Sequence, residues 1–258
     1  MATENNEGYI ASNGFRIPYK IITERRRSAR AAIGQRGLSI RVPKLVRRKW
    51  KEQKINEFLQ WVENLALKNP VSFIRFYTFE FRNDDIITLY NKVFSIKSSF
   101  GNSAKIKILQ EGNSIIIPEI ALDKSYSRSI LREISNLLKT YYLPIITDKV
   151  QEINQRSLKV DYSSVHMNYT SSKWGSCDSK GRIWLSTRLI STPAEIQEYI
   201  IIHELAHRIE ANHSQRFWNR VAKYCPNYKT HMKWLKVNGP LCDFYPDRVK
   251  QKLQSMSK

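Results

Sequence analysis

Two histidines and a glutamate in one short stretch have the types and the spacing of a metal-dependent hydrolytic site. His203, Glu204 and His207 stand in the sequence HELAH. Residues at positions i and i+4 lie one above the other on a helix, so both imidazoles can reach one ion. Glu204 points to the side, where its carboxylate can meet a water molecule on the metal. This H-E-x-x-H arrangement is typical of zinc hydrolases.

A third histidine, His213, follows in the same stretch of the chain. Catalytic zinc usually has three protein ligands and keeps its fourth position for water. We therefore predict Zn²⁺ held by His203, His207 and His213, with Glu204 as the general base. A downstream carboxylate is the alternative third ligand, and the sequence offers Asp243 and Asp247 for it. Two hydrogen-bonded core histidines are the remaining interpretation, but a buried glutamate beside them would be costly without a metal.

A buried helix must present the HELAH residues. Apolar side chains surround most of the stretch from Ile196 to Ile209, which indicates a helix inside the protein. Thr192 is predicted to cap its N-terminus, with Pro193 at the first helical position and Glu195 completing a capping box.

The chain must then turn back to bring the third histidine to the first two. We expect the helix to end near Ala211, with Asn212 in the left-handed conformation that ends many helices. His213 would then turn back toward the metal. Ser214 is predicted to cap the next helix, which covers residues 215–224.

The two halves of the chain differ in their predicted elements. Residues 9–46 contain two extended stretches around a glycine-rich turn, and residues 47–69 have the apolar spacing of a helix. Residues 75–120 return to short strands. From about Leu122 the chain is mainly helical, and Pro144 is expected to kink or divide the first helix. The short strands are predicted in RFYTFEF, IITLYN, VFSIKSS, AKIKIL and SIIIPEI.

A turn, GSCDSKGR, and a strand, RIWLS, precede the helix that carries the histidines. Strands in one part and mainly helices in the other indicate an α+β protein. We predict a β-rich basic N-terminal part over residues 1–120, a metal-binding catalytic domain over residues 121–238 and a C-terminal tail over residues 239–258.

The charge of the chain points to a class of partner. Its 258 residues include 43 Lys and Arg against 23 Asp and Glu, a formal net charge of +20. Such an excess favours polyanions, so nucleic acid or nucleotides are possible partners, and a merely solubilising surface is the alternative. The basic residues expected to meet a polyanion are Arg25, Arg26, Arg27, Arg30, Arg36, Arg41, Lys44, Arg47, Arg48 and Lys49.

The sequence also bears on where the protein works. No apolar run approaches the roughly 20 residues of a membrane-spanning helix, and the N-terminal residues have no signal pattern. The three cysteines are odd in number and far apart, which fits a reducing compartment better than a disulfide framework. We therefore expect a cytoplasmic protein without a membrane partner.

The stretch around the histidines resembles the YgjP-like metallopeptidases, a zincin family related to the SprT-like and WLM proteases. The similar motifs are W-G-S-C at residues 174–177, S-x-G-x-I-x-L at 179–185, H-E-L-x-H, N-H-S-x-x-F-W at 212–218, and then Pro226, Tyr228, Trp234 and Leu235. The resemblance implies a zincin-like fold whose small sheet has an edge strand beside the metal helix. That strand would be RIWLS, and an extended peptide substrate could add to it. Trp174 and Cys177 would pack behind the site.

Three functions stay open at this stage. The first is a metallopeptidase, with proteins bound to nucleic acid among its conceivable substrates. The second is a metal-dependent phosphohydrolase of nucleoside triphosphates, and the third is a nucleic-acid-associated protein with a vestigial metal site. An intact Glu204 argues against the third, because a binding protein needs no general base. The group that stabilises the oxyanion would be one of His231, Tyr228, Tyr224 and Lys173.

Overall fold

The computed structural model describes residues 5–89, 92–99 and 109–256. The chain divides into two compact units, Met1–Phe79 with Val249–Lys258, and Glu80–Arg248. This division differs from the three segments predicted from the sequence. Those segments were defined by the type of element and by motifs, and they stay a prediction.

The first unit is built on a four-stranded sheet and one long helix. The strands are β1 (Asn5–Ser12), β2 (Phe15–Glu24), β3 (Arg30–Gly34) and β4 (Gly37–Pro43), in the order β1-β2-β4-β3. Helix α1 (Arg48–Lys68) follows, and then a 3₁₀ helix (Pro70–Phe76). The core of the unit includes Ile17, Leu38, Ile40, Val42, Val62, Phe73 and Ile74, all buried.

Tight turns explain why the first sheet has four strands where the sequence predicted two extended stretches. Asn13 and Gly14 have φ values of 47° and 83°, which a two-residue hairpin turn requires, and they join β1 to β2. β3 and β4 form a second hairpin, in which Gly34 is opposite Gly37. Each extended stretch therefore folds back on itself.

Most of the basic residues predicted to meet a polyanion are exposed in this unit. Some are already paired: Arg26 and Arg41 contact Glu24 at 2.8 and 3.1 Å, and Arg48 contacts Glu52 at 2.8 Å. The binding of nucleic acid or nucleotides by this surface stays a prediction.

The second unit begins with another four-stranded sheet and the longest helix. β5 (Ile86–Leu89), β6 (Lys92–Ser99), β7 (Leu109–Glu111) and β8 (Ser114–Pro118) lie in the order β5-β6-β8-β7. Helix α2 (Ser127–Arg156) is continuous through Pro144 rather than divided there, because buried apolar side chains hold it on both sides of the proline. Neither α2 nor any other described helix is long and apolar enough to cross a membrane.

A three-stranded sheet and the remaining helices complete the second unit. β9 (Ser164–Asn168), β10 (Gly175–Cys177) and β11 (Arg182–Ser186) lie in the order β10-β11-β9, with β10 antiparallel and β9 parallel to β11. Helices α3 (Ala194–Ala206), α4 (Gln215–Tyr224) and α5 (Tyr228–Asn238) follow, and α6 (Asp247–Ser255) comes last. α3 packs against β10, α4 and α5.

The α+β class and the β-rich N-terminal part are confirmed, but two local predictions are wrong. RFYTFEF is not a strand: a 3₁₀ helix ends at Phe76, and Tyr77 makes only an isolated bridge to Phe15. Its alternation of aromatic residues reflects burial without strand pairing. GSC is a strand rather than part of a turn, because it pairs with β11. The sequence did not show it, since three residues are too few to show alternation. AKIKIL lies outside the described residues except for its last residue, Leu109.

Candidate metal centre

Helix α3, which carries the HELAH residues, starts differently from the prediction. Pro193 is its N-terminal flanking residue, and no side chain caps it. The Thr192 hydroxyl instead donates to the Leu189 carbonyl at 2.8 Å, at the end of a 3₁₀ helix (Thr187–Ser191). The predicted capping box is wrong because Thr192 serves the preceding turn.

The helix also ends earlier than predicted, at Ala206. The backbone N–H groups of Arg208 and Ile209 donate to carbonyls three residues earlier, each at 3.0 Å. Such 3₁₀ bonds tighten and end an α-helix. The predicted end near Ala211 is therefore wrong.

An Asx turn, rather than a left-handed residue, carries the chain on to the third histidine. Asn212 does not have a positive φ, so that prediction is wrong. Its Oδ1 accepts a hydrogen bond from the Ser214 N–H at 3.1 Å, a turn that Asn forms readily. Ser214 in turn caps α4, as predicted, because its hydroxyl accepts from the Phe217 N–H at 3.4 Å.

The structure brings His203, His207 and His213 together. One nitrogen from each lies within 4.8 Å of the other two. The Nε2 atoms of His203 and His213 are 3.0 Å apart, while a tetrahedral zinc site with bonds of about 2.0–2.1 Å implies about 3.3 Å between nitrogens. Three imidazoles at this spacing fit a zinc-type transition metal better than Mg²⁺ or Ca²⁺, which prefer oxygen ligands.

Neighbouring groups orient the three rings. His207 Nδ1 is 3.1 Å from the Glu210 carbonyl oxygen, to which it can donate, and Nε2 is then left for a metal. Phe217 of α4 stacks on His207 with ring centroids 4.5 Å apart, and it meets His203 and His213 edge to face at 4.9 and 4.8 Å. Helix α4 therefore forms an aromatic wall against the cluster.

Burial keeps the inner histidines neutral. It lowers the pKa of His203 to about 3, and the nearby rings of His207 and His213 add to this effect. Burial also lowers the pKa of His207. Because a metal binds the neutral imidazole, these two histidines need no deprotonation at neutral pH before they can hold an ion.

Glu204 is 4% exposed and faces β10. A Cβ at Gly175 would lie 2.5 Å from its Oε1 and 2.6 Å from its Cγ, so a larger residue there would force the Glu204 side chain to shift. Burial raises the pKa of Glu204 to about 8, and the charge of Lys173 opposes that rise. Its Oε2 has no hydrogen-bond partner among the described residues. A buried, unpartnered carboxyl is costly, and such groups concentrate at functional sites.

The cluster lies in a cleft of about 660 Å³. One wall is α3, and the opposite wall is β10 with Lys173 and Trp174 before it. The apolar end of the cleft is lined by Tyr199, Ile200, Met232 and Leu235, and the polar end by Asp178, Ser179 and Arg208. Since Tyr199 precedes and Arg208 follows the HELAH histidines, the cleft runs along α3.

A buried ion pair supports the wall that contains β10. Arg188 and Asp243 are 6% and 4% exposed, and their nearest charged atoms are 3.6 Å apart. The Arg188 guanidinium lies over the Trp174 ring, 4.3 Å from its centroid, and it donates to the Cys242 carbonyl at 3.0 Å. The Tyr169 hydroxyl donates to Asp243 at 3.0 Å. Trp174, directly before Gly175, is thus held from behind.

The four candidates for oxyanion stabilisation differ in whether they line the cleft. Lys173 lines the cleft, and its Nζ donates to the Ser176 hydroxyl at 2.8 Å. Tyr228 stacks on Trp218 at 5.1 Å, and His231 packs on Tyr199 at 5.9 Å. Neither these two residues nor Tyr224 line the cleft.

The two carboxylates predicted as an alternative third metal ligand make other interactions. Asp243 is in the ion pair with Arg188, and Asp247 accepts a hydrogen bond from the Thr88 hydroxyl at 2.5 Å. Cys177 and Trp174 line the cleft rather than lying wholly behind it. Burial raises the pKa of the Cys177 thiol, which favours its protonated form.

The edge strand beside α3 is β10, not the predicted RIWLS. RIWLS forms β11, which lies between β10 and β9 and is therefore paired on both sides. β10 is at the edge of its sheet and lines the cleft. The prediction failed because the sequence of GSC does not read as a strand.

Sequence reasoning missed the groups that hold the site from outside the HELAH stretch. Gly175 stands inside the W-G-S-C motif, and an obligatory glycine next to a matched Trp could have drawn attention to it. Arg188 gives no such signal, because an isolated arginine is ordinary in a chain of this charge, and Asp243 stands out in the sequence only as an alternative metal ligand. Only the fold pairs them.

The fold and the site define an α+β protein with a candidate metal centre on a helix beside a sheet edge, a layout suited to metal-dependent hydrolysis. The chain belongs to the YgjP-like family: the model described as YgjP-like, metallopeptidase domain, matches residues 27–238. The resemblance noted from the motifs is thereby confirmed, and the family is one of metal-dependent peptidases.

Two solved structures are also similar to this chain. The metallopeptidase zymogen jannalysin of Methanocaldococcus jannaschii is 26% identical, with 34% of this chain and 92% of that chain covered and a TM-score of 0.30. The metallopeptidase zymogen abylysin of Pyrococcus abyssi is 22% identical, with 36% and 95% covered and a TM-score of 0.31. No curated protein is significantly similar to the chain.

Proposed function

We propose that this protein is a zinc-dependent peptidase in which His203, His207 and His213 hold the metal and Glu204 is the general base. The observation that carries the proposal is the convergence of three imidazole nitrogens within 4.8 Å beside a buried carboxyl. Three neutral imidazoles are a ligand set of catalytic zinc, which keeps one position open.

The residues of the cleft then have distinct tasks. A bound zinc ion supplies a Lewis acid that brings the pKa of water toward neutrality and polarises the substrate carbonyl. The charge of a bound zinc ion would favour the carboxylate form of Glu204, which accepts the proton of the attacking water and passes it to the leaving amine. Lys173, as a cation that lines the cleft, is our candidate for stabilising the oxyanion.

An extended peptide fits the cleft through β10. This strand pairs with β11 on one side, and the backbone groups of its other side can pair with a substrate strand. Gly175 leaves room for Glu204 to approach that strand closely. We therefore propose peptides or unfolded protein segments as the substrates.

The test combines metal analysis with cleavage assays. Glu204→Gln is expected to keep stoichiometric zinc and the fold while lowering the cleavage rate by at least about 10²-fold, because a positioned general base contributes that much. His207→Ala is expected to lose zinc, since two imidazoles rarely suffice. Plasma emission analysis of the purified proteins and cleavage of a peptide library measure both effects.

Two results would contradict this function. Near wild-type turnover by Glu204→Gln would mean that another group is the general base. Stoichiometric zinc in His207→Ala would mean that His207 is not a metal ligand. Nucleoside triphosphates belong in the same assay because phosphoanhydride cleavage needs the same activated water. Their hydrolysis without any peptide cleavage would replace the peptidase by a phosphohydrolase.

A further inference from the structure

The two faces of the sheet formed by β9, β10 and β11 differ in what they contact. Gly175 lies against Glu204, so it faces α3, and Cys177, two residues further along β10, faces the same way. Because successive side chains of a strand point to opposite faces, Ser176 faces the other way. Its cross-strand partner is Trp184, and the partner of Trp184 on β9 is His166.

A second cavity of about 400 Å³ lies on this outer face. Trp184 forms part of its lining, and the indole ring stacks on His166 with centroids 4.3 Å apart and planes at 20°. Asn168 and Tyr169 line it from the end of β9 and the residue after it. Lys173, Gly175, Ser176 and Asp178 line both this cavity and the metal cleft. β10 is therefore the partition between the two cavities.

A strand added at the edge of β10 would continue both faces of the sheet. Its side chains would alternate between the metal cleft on the inner face and the second cavity on the outer face. We propose that this outer cavity is a second substrate subsite, which takes an aromatic side chain of the same peptide whose scissile bond lies at Glu204. This inference rests on the proposed peptidase function and names a sequence preference of its substrates.

The lining of the outer cavity favours an aromatic occupant. Trp184 and Tyr169 offer flat apolar surface, and aromatic pairs gain energy beyond the area they bury. The ammonium group of Lys173 at the partition opposes an arginine or lysine side chain in the same place. His166 and Trp184 already form a stacked platform that a further ring can extend.

The experiment compares peptides that differ only in having Phe or Ala at one position. The wild-type protein is expected to prefer Phe by roughly 3- to 10-fold in kcat/KM, the size of one aromatic contact. The preferred position should be an odd number of residues from the one that fills the metal cleft. Trp184→Ala should bring the Phe/Ala ratio close to 1. Asn168→Trp, a change at an exposed position on the rim, should do the same by filling the cavity.

Trp61→Ala is the matched control, because Trp61 is 43% exposed on α1 and lies outside the unit that contains the cavity. It should keep the wild-type ratio. A wild-type ratio near 1, or a Phe/Ala ratio that survives in both Trp184→Ala and Asn168→Trp, would overturn the subsite. The subsite would also be overturned if Trp184→Ala and Asn168→Trp lowered the cleavage rates of the Phe and Ala peptides equally.

Peptide binding to the Glu204→Gln protein, measured by fluorescence anisotropy, separates this inference from the proposed function. If peptides bind with the Phe preference and no peptide is cleaved by the wild type, the peptidase proposal fails and the subsite stands. If peptides are cleaved without a preference that depends on Trp184, the subsite fails alone. If peptides are neither bound nor cleaved, both are overturned.

Discussion

At the scale of single residues, three side chains of the site each have a neighbour that helps to fix their position. The His207 ring is oriented by the Glu210 carbonyl, and the Glu204 carboxyl fits because Gly175 has no side chain. The position of His213 depends on the Asx turn made by Asn212. These neighbours act through a single hydrogen bond or a single close approach, so each can be tested by one substitution.

The Asx turn gives the prediction at this scale. Asn212→Ala removes the acceptor for the Ser214 N–H and should weaken zinc binding about 10-fold, the lower range for groups that orient a ligand. Asn212→Asp keeps an acceptor oxygen and should bind zinc nearly as the wild type does. Competition with a chromogenic chelator measures the affinities.

Glu210→Ala is the control for that series, because the orienting group of Glu210 is its backbone carbonyl, which the substitution keeps. Wild-type affinity in Asn212→Ala would mean that the turn is held without its side chain. If Asn212→Asp lost as much zinc affinity as Asn212→Ala, the side-chain oxygen that accepts from the Ser214 N–H would not be the group that positions His213.

At the scale of elements, the site depends on how closely a helix and a strand approach. α3 ends at Ala206, so only His203 and Glu204 lie within it, while His207 flanks its end and His213 comes from the loop before α4. β10 meets α3 at Gly175, where a Cβ would overlap Glu204. The close approach of the Glu204 side chain to β10 therefore depends on the absence of a side chain at Gly175.

This contact predicts a large effect from one methyl group. Gly175→Ala should displace Glu204 or push β10 away, and a displacement of about 1 Å at a reacting group costs on the order of 10²-fold in rate. Zinc content should be retained, since the atoms nearest the new methyl belong to Glu204 and not to the three imidazoles. Single-turnover cleavage and metal analysis measure the two quantities.

Gly34→Ala is the control, because nothing lies within 4 Å of a Cβ added there and the residue is also in a strand. It should keep wild-type activity. Unchanged cleavage by Gly175→Ala would show that α3 and β10 can separate without cost.

At the scale of the whole molecule, the segment after α5 belongs to the framework of the site. Residues 239–245 bring Asp243 to Arg188, and Arg188 lies against Trp174. Burial raises the pKa of Asp243, while the positive charge of Arg188 opposes that rise. The predicted tail therefore contains a residue that supports the cleft from the side away from α3.

The ion pair predicts a stability effect. Asp243→Ala leaves Arg188 buried without its carboxylate and should lower the free energy of unfolding by about 3 kcal/mol, the lower range for breaking a buried pair. Urea unfolding followed by tryptophan fluorescence measures this change. Trp174 lies against Arg188, so its environment should change in the same transition.

Glu152→Ala is the control in the same unit, because Glu152 is 73% exposed and 3.7 Å from Arg156. Its free energy of unfolding should stay within about 0.5 kcal/mol of the wild type, as for most surface substitutions. A similar small change in Asp243→Ala would mean that water or the surrounding carbonyls replace the carboxylate.

The sequence by itself determined the features that depend on local spacing. Residues a few positions apart were enough to predict that His203 and His207 lie close together, that Ser214 caps α4, and that α1 and α4 have their observed extents. The α+β class also follows from such local patterns. The motifs around them also determined the family, because they are local too. These predictions needed no knowledge of which elements meet in space.

The tertiary structure decided what depends on distant parts of the chain meeting. β10 is a strand because β11 pairs with it, and three residues cannot show the alternation that identifies longer strands. α3 ends at Ala206 because 3₁₀ bonds close its last turn, whereas the apolar pattern continues to Ile209. The pairing of Arg188 with Asp243 and the closeness of Gly175 to Glu204 join residues tens of positions apart. Helical and strand periodicity carry no information about such contacts, since they arise only when packing fixes which faces meet.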